Sequence, residues 1–95
     1  MRHWTVRVEL YGPGESYLSQ ADMKALTYEL GHLRPRFEGW PSHTRAELHV
    51  VAREEQDAVD YAQQRVAFAL RVAGCEDWQG KVLDVEENPG GGEPA

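Results

Sequence analysis

The stretch from Glu54 to Ala73 constrains this chain more than any other. At about 100° per residue, Val59, Val66 and Leu70 gather on one edge of an apolar arc, and Tyr61, Phe68 and Val72 on the other. Between the edges lie Ala58, Ala62, Ala69 and Ala73. The arc spans about 200°, where a stripe of about 100° suffices for a surface helix. Such a helix needs cover on two sides, from a sheet under one edge and from a second helix or a partner chain along the other. Glu54, Glu55, Asp57 and Asp60 at its start and Arg71 near its end suit the helix dipole. Gly74 is a natural residue just past its end.

A sheet to receive it is legible elsewhere. From His3 to Tyr11, Trp4, Val6, Val8 and Leu10 alternate with Thr5, Arg7, Glu9 and Tyr11, the period of two that marks a half-buried strand. Arg45 to Arg53 repeats the pattern, with Ala46, Leu48, Val50 and Ala52 on one side and Arg45, Glu47, His49, Val51 and Arg53 on the other. A shorter helix is predicted from Ser19, where Ser19 and Asp22 have capping-box spacing, and Met23, Leu26, Leu30 and Leu33 form one stripe. Arg36 to Trp40, flanked by Pro35 and Pro41, suits a short edge strand. Trp78 to Glu87 reads as the last strand, with Leu83 and Val85 inward and Val82 and Asp84 outward.

The resulting order, β-α-β-β-α-β, predicts an α+β, ferredoxin-like two-layer sandwich. Its four-stranded antiparallel sheet would run 4-1-3-2, with both helices on one face and the other face open. Residues 1–87 form the expected single domain, and 88–95, rich in glycine and proline, a disordered tail.

Composition narrows the function. The 95 residues carry Lys+Arg 10 against Asp+Glu 16, for a net charge of -6. Asp84, Glu86, Glu87 and Glu93 fall in the last twelve residues, so the first 83 hold 12 acids and 10 bases and are nearly neutral. The single cysteine, Cys75, excludes an intrachain disulfide framework and a Cys-rich zinc site. No apolar run approaches the roughly 18 residues of a membrane span. The expectation is a soluble cytoplasmic protein that does not bind membranes.

The open face offers two readings. Val51, Val82 and Tyr11 would give apolar contact to a second copy stacked on that face. Tyr61, Phe68 and Val72 offer an alternative interface along the long helix, since aromatic residues are enriched in such surfaces. Either makes the chain a small non-catalytic binding module, expected to be a homodimer. The rival reading is a small enzyme or small-molecule sensor with a polar site around Arg7, Glu9, Tyr11, Glu47 and His49.

Other chemistries find little support. RNA-binding sheets of this shape stack bases on aromatic side chains of the central strands, where this chain has Arg7, Glu9, Glu47 and His49; no nucleic-acid partner is expected. The loop Tyr11-Gly12-Pro13-Gly14-Glu15 lacks the lysine and hydroxyl of a phosphate-binding loop. Glu47 and His49 are placed to share a metal with Glu9 or His3 from a neighbouring strand, but no recognised ligand spacing is present, so neither metal nor cofactor is expected. Cys75 stands beside Glu76 and Asp77, whose charges oppose a reactive thiolate.

Overall fold

A computed structural model describes residues 1–14, 17–40 and 43–88. The tail from Pro89 to Ala95, expected to be disordered, lies outside the described residues, as do Glu15, Ser16, Pro41 and Ser42.

The first alternating segment forms strand β1, Arg2–Tyr11, with Trp4, Val6, Val8 and Leu10 buried. The Trp4 indole satisfies its one donor inside the core by bonding the Ala52 carbonyl at 3.1 Å. Helix α1, Gln20–Glu29, opens with the expected capping box: Ser19 accepts from the Asp22 amide, and Asp22 accepts from the Ser19 amide. A single 3-10 turn, Gly31–Leu33, continues its apolar stripe and buries Leu33, and Arg34 closes the turn at φ 50°.

Strand β2 is only Arg36–Glu38. Trp40, which the sequence places at the end of this strand, instead donates from Nε1 to the Leu18 carbonyl at 2.8 Å. Strand β3, Arg45–Ala52, helix α2, Glu55–Val72, and strand β4, Gln79–Glu87, complete the chain. All pairings are antiparallel, in the order β2-β3-β1-β4, which from the other edge is β4-β1-β3-β2. Asn88 is not yet tail, since its amide bonds the His3 carbonyl at 2.8 Å.

One core joins the sheet to both helices. Val6, Val8, Leu48 and Val50 of the sheet cluster with Leu26 and Leu30 at α1, and with Ala58, Ala62, Val66, Ala69 and Leu70 of α2. Full burial of a valine or leucine contributes about 1.5–3 kcal/mol relative to exposure. The two edges of the wide arc on α2 part company here. Val66 and Leu70 are buried, whereas Tyr61, Phe68 and Val72 are 41%, 42% and 52% exposed.

Strand β4 departs from its expected alternation. Arg7 stands opposite Asp84 but Val8 stands opposite Val82, so Leu83 is an extra residue bulged out of the pairing with β1. Past the bulge the faces exchange. Val82 and Val85 both pack against the core, and Leu83 is exposed. The expectation that Leu83 faces inward and Val82 outward is corrected by that one inserted residue.

Candidate functional site

The helices leave the second face of the sheet open, and the registers fix which side chains meet there. One row crosses all four strands as Arg36, Glu47, Arg7 and Asp84. The next reads Glu38, Arg45, Glu9 and Lys81. Charge alternates along each row, and the two rows are in opposite phase. The eight side chains form a checkerboard of no net charge.

Arg7 is its centre. Its guanidinium lies 2.7 Å from Asp84, 3.4 Å from Glu47 and 3.7 Å from Glu86. The hydrogen bond to Asp84 above all, together with the charges of Asp84, Glu47 and Glu86, outweighs the opposing desolvation and raises its pKa. Arg36 approaches Glu47 at 3.9 Å, and His43 approaches Glu9 at 3.7 Å. These groups are substantially exposed, and exposed ion pairs contribute only about 0.2–1 kcal/mol each. Their arrangement matters more to what can dock on the face than to the stability of the fold. A shallow depression of about 180 Å³ lies among them, lined in part by Arg7, Arg36, Glu47 and Leu83.

Beyond the checkerboard, His49 stands opposite Thr5, and Val51 opposite His3. The two histidines meet on the diagonal, with Nδ1 of His3 2.9 Å from Nε2 of His49. Their ring centroids are 5.2 Å apart, at an interplanar angle of 57°. Thr5 turns its hydroxyl to Asn88 Oδ1 at 3.0 Å.

The expected polar site is therefore only partly assembled. Arg7, Glu9 and Glu47 are neighbours, with His49 one row beyond. Tyr11 lies at the other end of β1, six residues from Thr5 or about 20 Å along the strand, and donates to Gln79 at 2.9 Å. Among the interface candidates, Val51 is 47% exposed on the open face. Val82 is not on that face, and Leu83 takes its place. Along α2, Tyr61 bonds His32 at 3.2 Å and Phe68 lies beneath the Arg65 guanidinium at 4.9 Å.

A groove of about 420 Å³ runs between α2 and the start of β4, past Gln63, Arg71, Cys75 and Trp78. Gly12 lies against the Trp78 ring so closely that any side chain at that position would collide with it. Cys75 is buried, and its thiol is raised above its ordinary pKa by burial first, then by the charge and hydrogen bond of Asp22. The opposing carboxylate thus comes from α1, not from the adjacent Glu76 and Asp77. A protonated, buried thiol is a poor nucleophile.

No family model, curated protein or solved structure matches this chain. Among the described residues, no helix is long and apolar enough to cross a membrane. The sequence offered Glu9 and His3 as alternatives beside His49, and the structure brings His3 into contact with it; the exposure of Leu83 the sequence missed. The first needs the register of β1 on β3, and the second needs the bulge, and neither is written in the alternation of a single strand.

Proposed function

We propose that the chain is a non-catalytic interaction module of the ferredoxin-like type, whose open sheet face pairs with a second copy of itself. The checkerboard carries this reading because it is complementary to its own image. Consider a two-fold axis parallel to the strands, between β1 and β3. It lays Arg7 over the second copy's Glu47, Arg36 over its Asp84, Glu9 over its Arg45 and Glu38 over its Lys81. Every one of these encounters joins opposite charges.

A two-fold axis across the strands, between the two rows, is also complementary, laying Arg7 over Glu9 and Glu47 over Arg45. That axis leaves the row of His3 and Val51 hanging beyond the partner. The strand-parallel axis stacks the face along its whole length and keeps the strands of the two sheets aligned, as packed sheets prefer. A face of one sign would repel its own copy. The α2 edge is the lesser candidate, because Tyr61 and Phe68 already have partners in His32 and Arg65. The small-molecule reading is disfavoured by the separation of Tyr11 from His49.

Sedimentation equilibrium of the full chain tests the proposal. Twice the chain mass of 10.8 kDa is expected at low salt, with weaker association as salt screens the facing charges. The mass of a single chain at high protein concentration and low salt would overturn it.

A further inference from the structure

The proposed pairing gives the two histidines a use that one chain alone cannot. We infer that His3 and His49 form half of a zinc-type metal site, completed by the same two residues of a second copy. The inference rests on the strand-parallel pairing described above.

The geometry comes from the register. His49 and Thr5 face each other across β3 and β1, and Val51 and His3 face each other in the next row. These four positions are the corners of a rectangle, about 4.8 Å across the strands and about 6.7 Å along them, astride the proposed two-fold axis. The histidines occupy one diagonal, and the small side chains of Thr5 and Val51 the other. The axis carries the second copy's His49 over Thr5 and its His3 over Val51. Two imidazoles then rise from one diagonal and two descend onto the other. Four points so placed are alternate corners of a box, the tetrahedral arrangement that zinc prefers.

The distances agree. Packed sheets stand about 10 Å apart, so a metal on the axis would lie about 5 Å above each, within reach of an imidazole. Two nitrogen ligands of tetrahedral zinc at 2.0–2.1 Å stand about 3.3 Å from each other. The present 2.9 Å between Nδ1 of His3 and Nε2 of His49 needs to open by only about 0.4 Å. Within this pair one ring donates its N–H to the other. To ligate, that ring carries its proton on the far nitrogen, so that both facing nitrogens turn a lone pair towards the metal. On one chain, among the described residues, no group of three or more His, Cys, Asp or Glu side chains is placed to hold a metal. The site is therefore incomplete without the second copy.

Calorimetric titration of the full chain with zinc chloride, combined with sedimentation with and without zinc, tests the inference. His49→Gln and His3→Ala serve as variants, with folding checked by circular dichroism. The expected result is saturation at half an equivalent of zinc per chain on a two-chain species, weakened at least tenfold by either substitution. Cobalt in place of zinc should give the visible spectrum of a tetrahedral nitrogen site. A single chain that becomes two-chain only with half an equivalent of zinc overturns pairing through the charged face alone and supports the shared site. A two-chain mass without zinc binding, or with binding unaffected by His49→Gln, overturns the metal site and leaves the pairing standing. One equivalent of zinc on a single chain overturns the shared site. A single-chain mass with and without zinc overturns the pairing and the site together.

Discussion

Gly80 lies directly against Val66: a Cβ added to Gly80 would stand 2.6 Å from Val66 Cγ1 and 3.1 Å from Val8 Cγ1. The absence of a side chain at Gly80 is what lets α2 settle onto β4, and Gln63 adds a hydrogen bond to the Gly80 carbonyl at 2.8 Å. Both facing methyls belong to stiff, fully packed valines that have little room to yield. Gly80→Ala is therefore expected to destabilise the fold by about 1–3 kcal/mol, which thermal denaturation would read as a clear fall in Tm. Adding Val66→Ala should recover part of that loss by vacating the contact. A Gly80→Ala variant as stable as the parent would show that α2 does not sit this close.

The bulge at Leu83 makes a second prediction, by contrasting neighbours. Val82→Asp puts a carboxylate against the core and should cost at least about 2 kcal/mol. Leu83→Asp, on the open face, should cost well under about 1 kcal/mol when high salt keeps the chains apart. Under strict alternation the order of the two effects would be reversed, so chemical denaturation of the pair decides between the registers.

These residues also mark where the sequence stops being legible. The burial of β1 and β3, the capping box at Ser19 and the extent of α2 follow from local rules of period and capping, and they appear where those rules place them. Val82 and Leu83 do not, because one extra residue inverts every side chain beyond it and period two carries no record of it. Trp40 does not extend β2, since its indole finds a carbonyl at Leu18, far away in the chain. The candidate site divides in the same way. The alternating charges on β1 and β3 are visible in sequence, but the rows that unite them with β2 and β4 exist only once the registers are set. The meeting of His3 with His49 depends on register alone.

Glu87 gives a pH prediction. Arg2 donates to its two carboxylate oxygens at 2.7 and 2.8 Å, and this hydrogen bond, followed by the charge of Arg2, holds the carboxyl below its ordinary value of 4.5. A carboxylate depressed in the folded state contributes stability that is fully present above the unfolded pKa and is lost as pH falls through the folded value. The contribution should therefore be intact at neutral pH and disappear in acid, below pH 4.5. Nuclear magnetic resonance of the Glu87 side chain should show a midpoint below that of a free glutamate. Arg2→Ala should return it to the ordinary value and flatten the acid limb of the stability curve.

The central claim is that the open face meets its own copy with Arg7 above the second copy's Glu47. Arg7→Glu alone places carboxylates opposite each other in the pair, and Glu47→Arg alone places guanidinium groups opposite each other. Within each chain both substitutions break the same ion pair, and mixing the chains does not repair it. Across the two-fold axis, however, a chain of each kind restores opposite charges at both encounters. Sedimentation of the two variants, separately and as an equimolar mixture, is the most direct measurement. Single-chain mass for each variant alone and two-chain mass for the mixture is the predicted result. A mixture that stays single-chain, or variants that pair as well alone as together, would contradict the face-to-face dimer.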